Sequence, residues 1–416
     1  MDVIIRLLSR ADVDHFIPRG GYFVGLTMRS LHVISDLDPK AGGPPVVAVS
    51  LAAAQAALGL ETTIAVGHWP ETGVNPRAFF PQVPGLDRVD IRRVESPPMW
   101  HLLYGGGAAP ALAELIERCD VLHLHGVWEP LLLAAAHIGQ RMHKPYVVLL
   151  NGMLEPWPLS QKRLKKRIAL SLVYRSMLNR AAALHVLNED ERRYTAQLGF
   201  ASELSVIPNG IFREQMDRLP LPGRFRAAHP DIGERPFVLF VGRLHVVKGL
   251  DVLAEAFALV AAAHDNACLV VVGPDGGARA GFVTRLQQLG IFDRVVLPGP
   301  IYGDAKFDAL VDATCFCLPS RQEAFSVAIL EALACGKPVV VSDQCHFPEV
   351  ASAGAGFVAP LSPSALAGRL IELISDGVLC KRMGEAAQLL VRNRFTWTRV
   401  AEMTIGLYEE ILSRTF

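Results

Sequence analysis

The chain of 416 residues lacks several features that would assign it at once to a broad class of proteins. It has no net charge, because 41 Lys and Arg residues balance 41 Asp and Glu residues, so the overall charge does not predict nucleic-acid binding. It has no apolar run of about 18 residues, so we expect no transmembrane helix. The N-terminal stretch has too short an apolar core for a signal peptide, and acids follow that core.

The sequence also lacks a disulfide or zinc framework. Its seven cysteines are odd in number and scattered, mostly within apolar runs. Cys315 and Cys317 alternate along one such run, but no second pair or histidine completes a zinc set. The pattern favours reduced core cysteines in a cytoplasmic protein. Asp36 and Asp38 have the spacing of a diphosphate-bound metal site, but such pairs are common by chance, and no metal is predicted.

What the sequence does contain is an alternation of strands and helices that runs twice. A strand at 31–35, a turn at Gly42 and Gly43 and a helix at 46–58 open the first half. A strand at 237–241, a turn beginning at Gly242 and a helix reaching residue 263 open the second half. A polar, Pro-rich stretch at 213–235 separates the halves. The pattern predicts α/β domains, each with a parallel sheet and helices on both faces.

Residues 1–27 contain no clear element, whereas Met28 opens the first strand pattern. Two interpretations stay open: an extension upstream of a true start at Met28, or a loosely ordered arm of a chain that starts at Met1.

The most informative stretch is PSRQEAFSVAILEALACGKPVVVSD, residues 319–343. It predicts a loop, a helix that begins near Ser326 and ends near Gly336, and a further strand. Glu323 precedes this helix and Glu331 lies inside it, so the free N–H groups at its start lie between two acids. Such a helix start attracts phosphate, and the acids suit ligand hydroxyls. Spacing alone favours the alternative, in which Glu331 is an ordinary surface residue and Glu323 a loop charge.

Two further patterns have both functional and structural interpretations. His125 ends a predicted strand on the same face as His123, at the carboxyl end, where open α/β sheets bind ligands. It could instead bond a neighbouring backbone group. The stretch 160–180 predicts one basic amphipathic helix, which suits either an anionic membrane surface or solvent, with its apolar side in the core. Its basic residues nearest the start are Lys162, Arg163, Lys165, Lys166 and Arg167.

Over residues 28–416 the chain resembles the retaining glycosyltransferases of family 4, which have the GT-B fold. The resemblance rests on the Glu323 and Glu331 pair, on VGRLHVVKGLDVLAEAF, on AGGPP and on SVIPNGI. It implies two facing Rossmann-like domains with a cleft between them and a C-terminal helix that crosses back. The implied boundaries are an extension at 1–27, an N-terminal acceptor domain at 28–212, a nucleotide-sugar domain at 213–395 and the returning helix at 396–416.

The resemblance also implies roles for individual residues. Arg243 and Lys248 would neutralise the leaving diphosphate without a metal, Glu323 would hold the donor sugar, and Glu331 would hold the ribose. His125 would contact the sugar near the reacting carbon, and no general base is evident. Ala324 stands where the family more usually has glycine. The other implied donor-binding positions are Gly42, Gly43, Ser326, Val327 and, near the base, Gly299.

The stretch NGMLEPWPLSQKRLKKRIA is further similar to bacterial enzymes that build exopolysaccharide or lipopolysaccharide. The implied function is transfer of a hexosyl group from a UDP- or GDP-sugar to a lipid-linked saccharide, with no cofactor, at the cytoplasmic face of a membrane. Alternatives are a nucleotide-sugar epimerase, a phosphorylase, for which no pyridoxal-binding lysine signature is found, and a catalytically silent binding protein. Neither the acceptor, the linkage nor the oligomeric state follows from the sequence.

Overall fold

The structure is a computed structural model, and it describes residues 28–38, 42–68, 76–95, 110–161 and 163–414. The question of a start at Met1 or Met28 therefore lies outside the described residues, as does Lys162. No helix in the described part of the chain is long and apolar enough to cross a membrane.

The first half of the chain forms a parallel sheet of seven strands in the order β3-β2-β1-β4-β5-β6-β7. Most of its strands read as apolar runs because helices cover both faces of the sheet. The strands are β1 (Arg29–Asp36), β2 (Glu61–His68), β3 (Asp90–Arg93), β4 (Val121–His125), β5 (Tyr146–Leu149), β6 (Ala183–Val186) and β7 (Glu203–Val206).

The second half forms a parallel sheet of six strands in the order β10-β9-β8-β11-β12-β13. The two predicted parallel sheets are thus confirmed, and the predicted boundary at 212–213 falls in the connection between them, where it stays a prediction. The strands are β8 (Phe237–Val241), β9 (Cys268–Val272), β10 (Val295–Gly299), β11 (Cys315–Leu318), β12 (Val339–Ser342) and β13 (Gly356–Ala359).

Seventeen α-helices alternate with the strands of the described residues, and each half has its own core. The helices of the first half are α1 (Gly43–Ala57), α2 (Pro110–Arg118), α3 (Pro130–Arg141), α4 (Pro156–Ser160), α5 (Arg163–Ala169), α6 (Arg175–Asn179) and α7 (Glu189–Ala196). Those of the second half are α8 (Arg213–Asp217), α9 (Arg224–Ala228), α10 (Leu250–Ala263), α11 (Arg279–Gln288), α12 (Asp304–Asp312), α13 (Val327–Ala334), α14 (Glu349–Ser352), α15 (Pro363–Ser375), α16 (Gly377–Arg394) and α17 (Trp397–Ser413).

The helix predicted at 160–180 is present as one continuous helical stretch, Arg163–Asn179, but it begins three residues later than predicted. Helix α4 ends at Ser160, and Gln161 has an extended backbone, with φ −73° and ψ 121°. The chain then forms α5, a π-helical turn at Leu170–Tyr174, and α6. The prolines of α4 set a separate first turn, which the pattern of charges did not reveal.

Helix α17 returns from the second half and packs on α1 of the first half. Tyr408 and Val400 are buried in the same core as Val49. Gln55 in α1 donates to Thr404 Oγ1 at 3.0 Å and to the Tyr408 hydroxyl at 3.2 Å. The returning helix implied by the resemblance is therefore present, and it is tied to the first half by buried polar contacts as well as by apolar packing.

Candidate active site

The centre of the candidate site is a buried ion pair between Lys248 and Glu323. Their Nζ and Oε1 atoms lie 2.6 Å apart, and the side chain of Glu323 is only 9% exposed. Ser320 donates its hydroxyl to the same carboxylate oxygen at 2.5 Å. Because Lys248 and Ser320 both donate to this buried carboxylate, residues of the second half of the chain fix its orientation.

Gly249 is the reason that these two residues meet. Lys248 ends a 3₁₀ turn, Val246–Lys248, and Gly249 then takes a left-handed backbone with φ 66°. A Cβ on Gly249 would lie 1.9 Å from the carbonyl oxygen of Pro319, so only glycine lets the turn lie against the end of β11. Arg321 links the loop after β11 to the segment after β8. Its backbone N–H donates to the Val247 carbonyl, and its guanidinium forms two bonds with Asp251.

Arg243 reaches across to the first half of the chain. Its side chain is exposed, and its Nη2 lies 3.3 Å from the position that a Cβ on Gly42 would occupy. The stem of Arg243 passes Gly276, where a Cβ would lie 2.8 Å from Arg243 Cγ. No hydrogen bond or ion pair within the described part of the chain holds the guanidinium. The planar guanidinium therefore lies between the two halves of the chain, and its N–H donors are available to a phosphate.

The start of helix α13 lies beside the ion pair. Ser326 is its N-cap residue, is buried, and makes no side-chain bond to the first turn. Val327 opens the helix. Since no described side chain caps this turn, its N–H groups remain available to an anion. The predicted arrangement of a helix start preceded by Glu323 is therefore present in the fold.

Glu331 forms a second ion pair that the sequence did not predict. Lys306 Nζ lies 2.6 Å from Glu331 Oε1, and the Glu331 side chain is 12% exposed. Lys306 lies in the first turn of α12, which follows β10, so this contact links α12 to α13. Glu331 has a polar partner already in place, which a ribose would have to share or displace. A lone lysine in a short amphipathic helix gave no signal in the sequence.

His125 lies at the carboxyl end of β4, as predicted, and is packed among other histidines. The ring of His125 stacks on those of His32 and His123, with centroid distances of 5.2 and 4.9 Å. Burial lowers the pKa of His32 and of His185 to about 4, and holds the pKa of His123 and His125 well below 6.5. Nδ1 of His125 is buried and has no hydrogen-bond partner among the described residues. All four imidazoles are neutral at pH 7.

The loop that carries Glu323 packs against the first half of the chain and forms hydrogen bonds with it. Asn188 donates its amide to the carbonyl of Ala324 at 2.5 Å. Gly152, with φ 71°, lies so close that a Cβ on it would come within 2.3 Å of the Ala324 methyl. Gln322 donates to the carboxyl of Glu155. The methyl of Ala324 is therefore accommodated by a glycine from the opposite half of the chain.

We expect Glu155 to make stability depend on pH. Burial, and then the charges of Glu191, Asp190 and Glu323, raise the pKa of Glu155 from 4.5 to about 8. Folding therefore takes up a proton between these values, and the free energy of unfolding falls as pH rises, by at most about 1.4 kcal/mol per pH unit, with no further loss above pH 8. Glu155→Gln should melt higher than the wild type at pH 8 and closer to it at pH 5.

Melting temperatures measured from pH 5 to pH 8 test this expectation. The control is Glu189→Gln, which removes a carboxylate whose side chain is 68% exposed in the same region. Parallel curves for Glu155→Gln and the wild type would contradict it.

Three further predictions concerned Gly43, the Asp36 and Asp38 pair and the basic residues of α5. Gly43 is exposed, and a Cβ there would meet no atom within 4 Å, so its surroundings at the start of α1 are open. Asp36 accepts a bond at 2.7 Å from the backbone N–H of Asp38, so this pair forms a local turn. Lys166 is half-buried and donates to the Pro158 carbonyl, whereas Lys165 and Arg167 are exposed.

Helix α5 and the π-helical turn carry an apolar stripe that faces solvent. Leu164, Ile168 and Leu172 follow one another at four-residue spacing and are 74%, 50% and 78% exposed. Leu178, which the same pattern contained, is fully buried. The apolar side of this stretch is thus divided: its early part is exposed beside Lys165 and Arg167, and only its end packs into the core.

Two family models match the chain. The Glycosyl transferase 4-like domain matches residues 42–210, and Glycosyl transferases group 1 matches residues 224–390. The chain is 29% identical over 308 residues to a phosphatidyl-myo-inositol mannosyltransferase of Mycobacterium leprae, covering 70% of this chain and 74% of that protein. It is 32% identical over 247 residues to a D-inositol 3-phosphate glycosyltransferase of Corynebacterium jeikeium, covering 55% and 58%. Four other curated relatives are covered over only 41% to 62% of their own length.

Solved structures share the fold over almost the whole chain. Anabaena Alr3699/HepE in complex with UDP and glucose superposes with a TM-score of 0.72 at 20% identity, covering 92% of this chain and all of that one. WaaG, a glycosyltransferase involved in lipopolysaccharide biosynthesis, superposes with a TM-score of 0.67 at 18% identity, covering 91% and 99%. At these identities the likeness establishes a common architecture of two facing parallel-sheet domains.

Proposed function

Because the chain is a glycosyltransferase of group 1, with a 4-like first domain, we propose that it transfers a hexosyl group from a UDP- or GDP-sugar with retention of configuration and without a metal. We further propose that the acceptor is a lipid-linked saccharide of bacterial surface polysaccharide synthesis. The enzyme would then work at the cytoplasmic face of a membrane.

The observation that carries the donor proposal is the convergence of anion-binding groups on one place. Arg243 and the pair Lys248–Glu323 follow β8 and β11, which are neighbouring strands, and the uncapped start of α13 comes directly after Glu323. The leaving phosphate of a nucleotide diphosphate gains negative charge as the glycosidic bond breaks, and fixed cations and N–H dipoles stabilise this charge. The leaving phosphate itself would accept the proton of the acceptor hydroxyl, so the proposal needs no separate general base.

The acceptor proposal rests on surface chemistry and on the names of relatives. Two relatives are named for action on inositol, one of them as part of phosphatidyl-myo-inositol. A lipid-linked acceptor would require the enzyme to approach a membrane, and the exposed stripe of Leu164, Ile168 and Leu172 beside Lys165 and Arg167 suits an anionic one. A phosphatidylinositol and a lipid-linked saccharide share a polyol head on a lipid, and an acceptor assay with each separates them.

Replacing the exposed stripe should weaken membrane binding without disturbing the fold. In the variant Leu164→Ser, Ile168→Ser, Leu172→Ser we expect the affinity for vesicles containing phosphatidylglycerol to fall at least about tenfold, since inserting apolar side chains contributes roughly 1.5–3 kcal/mol each when burial is full. Co-sedimentation with vesicles measures it.

The matched control replaces Leu221, Val378 and Leu389 by serine, because these side chains are 75%, 79% and 60% exposed elsewhere on the surface. Equal binding by the stripe variant and the wild type would refute the membrane contact and leave the donor proposal untouched.

The donor proposal is tested by thermal protection with UDP, GDP, ADP and their common sugar conjugates, with and without EDTA. A nucleotide at 100 times its Kd should add about 2.7 kcal/mol to the free energy of unfolding. We expect one base to raise the melting temperature, and the rise to survive EDTA. A rise that EDTA abolishes would refute the metal-free site, and no rise with any nucleotide would refute the donor class.

A further inference from the structure

A continuous chain of buried hydrogen bonds lies behind His125 and reaches helix α17. We refer to it as the histidine chain. Every member is buried, and none of the ring nitrogens that link them faces solvent. Its members, in order, are His125, His32, Gln55, Tyr408, His123 and His185.

One end of the histidine chain fixes where the protons lie. His185 Nε2 lies 2.7 Å from the carbonyl oxygen of Ile207, which can only accept, so this nitrogen carries a proton. The Nδ1 of a neutral His185 is then an acceptor, and His123 Nε2, 3.3 Å away, must donate to it. His123 Nδ1 in turn accepts from the Tyr408 hydroxyl at 2.5 Å. Because the Tyr408 hydroxyl donates its one proton to His123, its oxygen can only accept in its other hydrogen bonds.

A second anchor acts on Gln55 independently. The hydroxyl of Thr404 lies 2.9 Å from the Ala401 carbonyl and 3.1 Å from that of Val400, so its proton points along its own helix. Both Thr404 and Tyr408 therefore accept from Gln55, which turns its amide NH₂ towards α17. Its carbonyl oxygen then faces His32 Nε2 at 2.9 Å, and that nitrogen must be the donor.

The last link follows from the previous two. With the proton of His32 on Nε2, its Nδ1 is an acceptor, and His125 Nε2, 2.9 Å away, donates to it. We infer that His125 carries its proton on Nε2 and offers Nδ1 as a hydrogen-bond acceptor, and that Gln55 is a positioning residue that fixes this tautomer. His125 Nδ1 is buried and has no partner within the described residues, so it is the ring nitrogen left for a ligand.

The inference deepens the proposed function and rests on it for the identity of the ligand. An acceptor nitrogen at the carboxyl end of β4 selects a group that donates, and on a nucleotide sugar that group is a sugar hydroxyl. The four imidazoles are too buried to be protonated at pH 7, so the contact is a neutral hydrogen bond rather than a charge. A donor sugar lacking this hydroxyl would leave the nitrogen unpaired and would be disfavoured.

The tautomer is measured directly by ¹⁵N NMR of the full chain labelled at histidine, with His125→Gln used to assign the signals. We expect His125 to show a pyridine-type Nδ1 and a pyrrole-type Nε2. A pyrrole-type Nδ1, or a doubly protonated ring, overturns the inference. This readout needs neither substrate nor activity, so it stands or falls separately from the proposed function.

The role of Gln55 is tested with Gln55→Met, which keeps the length of the side chain and removes both polar groups. We expect His125 to show a mixture of tautomers and kcat/KM to fall about tenfold, the value of one hydrogen bond. The control, Tyr146→Phe, removes a buried hydroxyl that bonds Gln140 and the Met177 carbonyl but no member of the histidine chain. Unchanged His125 signals in Gln55→Met would overturn the positioning role.

Two replacements of His125 separate its two nitrogens. Asparagine places a polar atom near Nδ1, whereas glutamine places its amide near Nε2 and keeps only the contact to His32. With UDP-glucose or GDP-mannose as donor, whichever protects the protein, His125→Asn should retain about tenfold more activity than His125→Gln. Equal activities, or the reverse order, would overturn the inference. Should Gln55→Met fail to fold, the wild-type spectrum and this pair still decide it.

Discussion

Glu323→Gln is expected to lower the turnover number for sugar transfer by about 10²–10³, the usual result of removing one preorganised polar group from a reacting centre. The side chain is 9% exposed and lies 2.6 Å from Lys248. Glutamine keeps the shape and an oxygen that can accept from Lys248 and Ser320, so the fold should survive. What it loses is the negative charge that holds Lys248 in place and that would bind the hydroxyls of the donor sugar.

Release of the nucleotide diphosphate in the presence of acceptor measures this effect, with the melting temperature measured alongside. The matched control is Glu255→Gln, which breaks an ion pair of similar length, 2.8 Å, between two side chains that are each 41% exposed. Such a pair contributes little, so this control should retain both stability and turnover. Near-normal turnover in Glu323→Gln would refute the catalytic assignment.

Lys248→Ala disturbs the same ion pair more severely than Glu323→Gln does. Removing the lysine leaves Glu323 buried without its cation, which typically costs about 3–5 kcal/mol of stability. The double variant Lys248→Ala, Glu323→Gln removes this cost, so it should melt above the single variant while remaining as inactive. A double variant that recovers turnover as well as stability would show that the pair serves only the fold.

The layout of the fold was predictable because buried parallel strands leave a strong signal. Strand β11 and strand β12 are short apolar runs, and between them Ser326 and Gly336 mark where helix α13 is bounded. The helix predicted at 160–180 starts late, at Arg163, because Gln161 has an extended backbone that the spacing of charges does not reveal. A pattern of apolar and basic residues therefore predicts the presence of a helix more reliably than its first residue.

Contacts between the two halves were beyond prediction, because they depend on how separate domains face one another. The sequence gives no reason for Gly152 to lie against Ala324, or for Glu155 to bond Gln322. The same holds for His32, which is remote in sequence from His125 although their ring nitrogens lie 2.9 Å apart. Individual site residues were recognisable from motifs, whereas their partners became visible only once the strands were ordered in the sheet.

Arg243→Ala is the second replacement for which we expect a large loss, about 10²–10³ in turnover, because this guanidinium would face the charge that develops on the leaving phosphate. Its stability should not change, since the side chain is exposed and no ion pair within the described ranges depends on it. Arg243→Lys should restore little, because a lysine provides a point charge in place of a planar fork.

The position of the guanidinium can be tested without altering it. Gly276→Ala places a Cβ 2.8 Å from Arg243 Cγ, 2.9 Å from its Cδ and 3.2 Å from the Cβ of His245, so the stem of the arginine must shift. We expect turnover to fall at least about tenfold while the fold is retained, since small misplacements of a catalytic group are costly. Gly281→Ala is the control, because a Cβ there, on α11, meets no atom within 4 Å.

The three variants together separate the charge from its placement. If Arg243→Ala and Gly276→Ala both lose turnover and Gly281→Ala does not, the phosphate site needs this cation at the junction with Gly42. If Gly276→Ala keeps full turnover while Arg243→Ala loses it, the charge matters but the contact with Gly42 does not. Full turnover in Arg243→Ala would show that the arginine has no role in the site. Lys248 and the start of α13 would then have to stabilise the charge of the leaving phosphate without it.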